Sequence, residues 1–120
     1  MRVTALRIDG KPALDRISVA THFWSRFLGL MGRAALPEGE GIFFPRCNSI
    51  HTFFMRFPID VVFVTQTGRV ELVMSALPPW RFVWPRLGAS HVLELKAESA
   101  ESLGIAPGVR LEGDGLFHAS

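Results

Sequence analysis

Residues 59–74 read IDVVFVTQTGRVELVM and carry the clearest structural signal in the chain. The predicted strand Ile59–Thr65 is apolar from Ile59 to Val64 except at Asp60, and it is rich in β-branched and aromatic residues, which is typical of a buried strand. Turn-forming residues follow at Thr65–Gly68, and charged and apolar residues then alternate from Arg69 to Met74. The stretch therefore predicts a strand, a turn and a second strand.

Strand-like patterns also occur on both sides of this stretch. Asp9-Gly10 separates two of them, Val3–Ile8 and Arg16–Ala20, and is a hairpin turn signal. Further predicted strands are Ile42–Phe44, Cys47–Met55, Ser90–Lys96 and Val109–Glu112.

Two helices are predicted between these strands. The first covers His22–Met31, with Thr21 as its cap, because apolar residues recur there every three or four positions. The second is short, covers Glu98–Leu103 and ends at Gly104. With about seven or eight short strands and no βαβ alternation, the pattern predicts a compact, mainly β fold, a sandwich or barrel with one helix near each terminus.

Length and composition restrict the class of protein. The chain has 120 residues, which favours a single domain over residues 1–120, and 48% of them are hydrophobic, as in a folded protein. Cys47 is the only cysteine, so no internal disulfide can form. No apolar run reaches a membrane-spanning length, and Arg2 and Arg7 interrupt any signal-peptide pattern. We therefore expect a soluble, cytoplasmic protein without membrane insertion.

Three blocks of sequence resemble one protein family. They are Ala20-Thr21 with Arg26–Met31, then Cys47–Asp60, and finally Val92–Leu95. Together they resemble the bacterial and archaeal family called domain of unknown function 192. The resemblance implies a compact β-rich fold with a helix near its start, and it brings no established activity. The residues after the third block, Lys96–Ser99, depart from the small residue and glycine usual in the family.

The middle block contains the candidate catalytic residues. If Cys47–Met55 is one strand, Cys47 and His51 share a face but lie roughly 13 Å apart, which is too far for a direct hydrogen bond. Asp60 could orient His51 from the adjacent strand. Because the distance is large and free cysteine is usually buried, we expect Cys47 not to be a nucleophile.

Asp60 begins an apolar strand, so we expect it to be at least partly buried and hydrogen-bonded. Its candidate partners are His51, Thr52 and Arg26, which would form a polar network or a ligand pocket with it. The sequence shows no ligand spacing for a metal, so no metal or other cofactor is expected.

A proline-rich segment, Pro78–Pro85, is predicted to be a surface loop or an edge. In an extended conformation Trp80, Phe82 and Trp84 would share one apolar face. We expect at least one of the tryptophans to cover the core while Arg81 stays in solvent, although Trp80, Arg81 and Trp84 could instead bind a partner.

Two functions therefore remain open from the sequence. One is a small ligand-binding or accessory domain, contacting an unidentified small molecule or protein through Arg26, His51, Thr52, Asp60, Trp80, Arg81 and Trp84. The other is a small hydrolase or thiol-dependent enzyme that uses Cys47, His51 and Asp60. Nucleic-acid binding is not expected, because the net charge is only +2 and no common binding motif is present.

Overall fold

The structure is a computed structural model in which residues 2–20 and 36–117 are described. The strands of this part are β1 (Arg2–Ile8), β2 (Lys11–Val19), β3 (Glu40–Pro45), β4 (Ile50–His51), β5 (Ile59–Val64), β6 (Val70–Leu77), β7 (Phe82–Val83), β8 (His91–Lys96) and β9 (Leu111–Glu112). One helix, α1 (Ser99–Leu103), lies between the last two strands.

Seven of the strands form one curled sheet, in the order β6-β5-β8-β3-β2-β1-β9. Neighbouring strands are antiparallel except β2 and β3, which are parallel. The two ends of the sheet meet where Arg69 pairs with Arg110. Beside this bridge, the amide of Leu111 donates to the carbonyl of Gly68 over 2.7 Å. The sheet is therefore a half-barrel, and β4 and β7 form a separate two-stranded sheet.

The prediction of a mainly β protein is confirmed, in the form of this half-barrel and the small sheet. The short second helix is also confirmed. It ends at Gly104, whose φ of 76° is a left-handed conformation that glycine adopts readily because it has no side chain. None of the described helices is long and apolar enough to cross a membrane. The helix predicted over His22–Met31, with its cap Thr21, lies outside the described residues.

One predicted strand is wrong. Cys47–Met55 is not extended throughout, since only Ile50 and His51 are in a strand. The chain turns immediately after them, where the amide of Met55 donates to the carbonyl of Thr52 and Phe54 has a left-handed φ of 67°. Period-two alternation therefore cannot place Cys47 and His51 on one face.

The large sheet has an apolar core on each face. Side chains of β5 alternate between them, so that Val62 and Val64 belong to one core and Val61 and Phe63 to the other. This explains why all six residues of β5 are buried. Helix α1 contributes Ala100 to the first core. The second core includes Met55, from the segment after β4, and Val83 of β7.

Asp60 lies on the face of β5 that α1 covers and is fully buried, which agrees with the prediction that it is at least partly buried. Its partners are backbone amides rather than His51 or Thr52. Oδ1 accepts hydrogen bonds from the amides of Ala76 (2.8 Å) and Glu98 (2.9 Å), and Oδ2 accepts one from Ala100 (2.8 Å). Arg26, the third candidate partner, lies outside the described residues.

These three bonds explain two irregular features of the chain. The register between β5 and β6 shifts opposite Asp60, where Ala76 has a left-handed φ of 49°. Helix α1 has no cap of its own, because the Glu98 side chain makes no capping hydrogen bond. Asp60 of β5 thus accepts the hydrogen bonds of amides in the β6 bulge and at the start of α1.

We expect Asp60→Ala to lower the free energy of unfolding by about 3–5 kcal/mol, because three amides lose a charged acceptor in a buried site. Asp60→Asn should cost about 1–3 kcal/mol, since its oxygen can keep two of the amides while its NH2 group faces another donor. Urea unfolding measures both changes. The exposed Asp15→Ala is the control, and an Asp60→Ala chain as stable as this control would contradict the structural role.

Candidate binding surface

Thr52 connects the two loops that contain the short strands β4 and β7 of the small sheet. We call residues 46–58 the first loop and residues 78–90 the second loop. Thr52 is fully buried in the first loop, and its Oγ1 donates to the carbonyl of Pro78 (2.7 Å) and accepts from the amide of Arg81 (2.9 Å). Its own amide donates to the Arg81 carbonyl, and its carbonyl accepts from the Trp80 amide. One side chain and its peptide groups therefore hold the second loop in place.

Aromatic rings from both loops lie together over this junction. His51 stacks on Phe53 with centroids 4.9 Å apart, and Phe53 lies 6.0 Å from Trp80 in a near-parallel arrangement. Phe54 meets Trp80 edge-on at 4.8 Å. We call the following set the aromatic surface: His51, Phe53, Phe54, Trp80, Phe82 and Trp84.

The second half of this surface is the pair Phe82 and Trp84, which meet edge-on at 5.2 Å. It is joined to the first half because His51 of β4 pairs with Phe82 of β7. The backbone pairing of β4 with β7 therefore places the two groups of rings next to each other.

Large apolar area stays in contact with solvent on this surface. The exposed fraction is 77% for Trp84, 61% for Phe54 and 58% for Trp80. Two of these residues are also strained, because Phe54 (φ 67°) and Trp80 (φ 65°) have left-handed backbones, which bulky side chains rarely adopt. Solvent exposure of these aromatic side chains and the left-handed backbone at two of them both disfavour folding. The aromatic surface is therefore a candidate binding site.

The expectation that a tryptophan covers the core is therefore wrong. Val83 is the residue of this segment that turns inward, because it pairs with Ile50 in the small sheet and joins the second core. Alternation along β7 then directs Phe82 outward. Arg81 is exposed, as predicted.

The three candidate catalytic residues have different surroundings. Cys47 is half-buried, and its Sγ donates to the Ser49 carbonyl over 2.9 Å. The cleft that Cys47 lines includes His91 rather than His51. The Nδ1 of His51 accepts from the Phe53 amide in the first loop, and the Asp60 carboxylate is bound at α1. Within residues 2–20 and 36–117, no group of three or more potential ligands could hold a metal ion.

Comparison with known proteins identifies the chain's relatives. The family described as DUF192, Uncharacterized ACR, matches residues 4–113. A UPF0127 protein of Pyrococcus furiosus is 37% identical over 108 residues, which cover 86% of this chain and 90% of the relative. The chain belongs to the DUF192 family. The resemblance found in the sequence blocks is therefore confirmed over most of the chain.

Two crystal structures share the DUF192 fold. One, of a "putative transcription regulator" from Sinorhizobium meliloti, has a TM-score of 0.83 and 25% identity, with 96% of each chain covered. The other, of a protein of unknown function from Novosphingobium aromaticivorans, has a TM-score of 0.76 and 26% identity and covers 92% of this chain and 84% of the other.

Glu94, which lies in the third family block, is an unusual buried acid. It is in β8, near the centre of the half-barrel, where its cross-strand neighbours are Ile42 and Val61. Only 6% of its surface is exposed. Burial raises the pKa of Glu94 to about 8. The DUF192 chain therefore carries this carboxyl mainly in its neutral form at pH 7.

Sequence reasoning missed Glu94, Phe53 and Phe54. An acid inside the apolar run Val92–Leu95 is a signal of the same kind as Asp60, so Glu94 could have been found. The aromatic pair in the first loop was assigned to a strand, which hid its exposure.

We expect Thr52→Val to lower the free energy of unfolding by about 1–3 kcal/mol, because the amide of Arg81 and the carbonyl of Pro78 lose their partner. Trypsin cleavage after Arg81 should also become faster, since the second loop is released. Thr52→Ser keeps the hydroxyl and is the matched control. Equal cleavage rates in the two variants would show that the hydroxyl does not hold the loop.

We expect the stability of the chain to fall between pH 4.5 and 8 because of Glu94. In this interval the unfolded chain has lost the Glu94 proton while the folded chain keeps it, so each rise in pH favours unfolding. Relative to Glu94→Gln, the native chain should lose about 3–5 kcal/mol across the interval.

Urea unfolding of both chains at several pH values measures this difference. The exposed Glu71→Gln serves as the control and should run parallel to the native chain. Parallel profiles for Glu94→Gln and the native chain would contradict the raised pKa.

Proposed function

We propose that this DUF192 chain is a non-catalytic binding domain whose contact site is the aromatic surface. The observation that carries the proposal is that Phe54, Trp80 and Trp84 are all more than half exposed although their loops are held rigidly by Thr52. Exposed Trp side chains in a fixed loop bind with little loss of conformational entropy.

This proposal moves the binding role away from a polar pocket around His51 and Asp60. The Asp60 oxygens are engaged by three backbone amides, so Asp60 is a structural residue in this proposal. His51 remains in the site as one ring of the aromatic surface. Trp80, Arg81 and Trp84 keep the binding role that their sequence suggests, while the buried Thr52 holds the loop that carries them.

The described structure does not support a thiol-dependent enzyme built from Cys47, His51 and Asp60, because the cleft that Cys47 lines includes neither His51 nor Asp60. A nucleophile requires a base within hydrogen-bond reach, and the Cys47 thiol instead donates to the Ser49 carbonyl. The descriptions of the DUF192 family and of its Pyrococcus furiosus member state no activity that would favour catalysis.

The first test is whether the exposed side chains of the aromatic surface contribute to the free energy of unfolding. Trp84→Ser and Phe54→Gly should change the free energy of unfolding by less than about 0.5 kcal/mol or raise it. Both variants remove solvent-exposed apolar surface, and Phe54→Gly also relieves the strain of a left-handed backbone. Val83→Ala, in the core beneath, should lower it by about 1–3 kcal/mol. Denaturant unfolding compares the three variants.

The accessibility of the surface is measured by binding of the apolar dye anilinonaphthalene sulfonate. Trp84→Ser and Phe54→Gly should reduce dye binding, while Val3→Ser, an exposed apolar residue on β1, should not. The proposal fails if Trp84→Ser destabilises the chain as much as Val83→Ala and leaves dye binding unchanged.

A further inference from the structure

The two loops that carry the aromatic surface have an unusual charge. They contain four arginines, all exposed, and no acidic residue: Arg46, Arg56, Arg81 and Arg86. The whole chain has 13 basic and 11 acidic side chains, so the rest of it holds nine against eleven. The positive charge of the protein is therefore concentrated around its exposed apolar side chains, with the carboxyl of Glu71 approaching only the edge of this region at Gly88.

The apolar side chains of this region include one that is not aromatic. Leu87 is 97% exposed and lies in the second loop, where the Ala89 amide donates to the Arg86 carbonyl across a turn. Gly88 supplies the left-handed φ of 91° that this turn requires. The Arg86 amide donates to the Asn48 carbonyl, which ties the turn to the first loop. Leu87 is thus held out at the tip of a fixed turn.

The combination of these features matches the interface of a lipid bilayer. Tryptophan is favoured at the boundary between headgroups and acyl chains, and arginine pairs with anionic headgroups while its stem lies against apolar surface. An aliphatic side chain such as Leu87 offers no ring on which a nucleobase could stack. A bilayer accepts protruding side chains of any shape, whereas a protein partner would need a pocket that matches each of them.

Resting on the proposed binding function, we infer that the aromatic surface and Leu87 bind the surface of an anionic membrane. Trp84, Phe54 and Leu87 enter the headgroup region, and the four arginines contact lipid phosphates and carboxylates. Binding at the surface through loop side chains requires no membrane-spanning segment.

The test uses the full chain and vesicles of phosphatidylcholine with about 30% phosphatidylserine, compared with phosphatidylcholine alone. We expect co-sedimentation with the anionic vesicles, and we expect it to weaken as the salt concentration rises. Arg81→Gln should lower the affinity roughly fivefold, as expected for one charge at an anionic surface. The double variant Trp84→Ser with Leu87→Ser should lower it at least roughly tenfold.

Two variants outside the loops are the matched controls. Val3→Ser removes an exposed apolar side chain and Arg16→Gln removes an exposed arginine, and both should bind vesicles as the native chain does. A spectroscopic measurement locates the contact: a chain that keeps Trp84 alone, with Trp24→Phe and Trp80→Phe, should show a blue-shifted emission with anionic vesicles.

The inference is overturned if anionic vesicles do not bind, or if the Trp84→Ser, Leu87→Ser double variant binds them as well as the native chain. It is also overturned if the chain ignores vesicles but binds a single-stranded oligonucleotide or an acidic protein through the same side chains. In each of these cases the binding function still stands when the stability and dye experiments succeed. If those experiments also fail, both proposals fall.

Discussion

The carboxylate of Asp60 is the point on which three elements of the fold depend. It belongs to the central strand β5, and its hydrogen bonds reach the bulge of β6 and the start of α1. Neither the bulge nor the helix can satisfy these amides locally, because Ala76 leaves the ladder and Glu98 does not cap the helix. A buried charge is stable there because it meets three aligned donors, in a site where an unpaired charge would be strongly unfavourable.

The second organising residue, Thr52, does for the two loops what Asp60 does for the sheet. Both are fully buried polar side chains whose partners are backbone groups distant in sequence. Asp60 and Thr52 differ in the elements that they fix. Asp60 fixes elements whose apolar sides face the core, whereas Thr52 fixes loops whose aromatic side chains face solvent. The protein therefore stabilises its proposed contact surface with buried polar groups beneath it.

Local sequence patterns predicted the strands whose own side chains alternate between charged and apolar or are nearly all apolar, as in β5, β6 and β8. The burial of Asp60 followed from its position in an apolar run, but its partners did not, because backbone amides from residues 76, 98 and 100 carry no side-chain signal. The assignment of Cys47–Met55 as one strand failed for a similar reason. A left-handed Phe54 and the hydrogen bonds of Thr52 depend on the second loop, about thirty residues away in the chain. Exposure of Trp80 and Trp84 likewise depends on Val83 taking the inward position.

The bulge in β6 also affects how separate copies of the chain meet. Strand β6 lies at one end of the sheet, and within residues 2–20 and 36–117 its edge pairs only near Arg69 and Val70, which meet residues 108–111. The remaining edge of β6 would be a template for strand addition and aggregation. The irregular backbone at Ser75 and Ala76 interrupts that edge, because a bulged strand twists away from the straight geometry that an incoming strand needs. Because the Asp60 carboxylate holds this bulge, we expect it to disfavour edge-to-edge association of folded chains as well as to stabilise the fold.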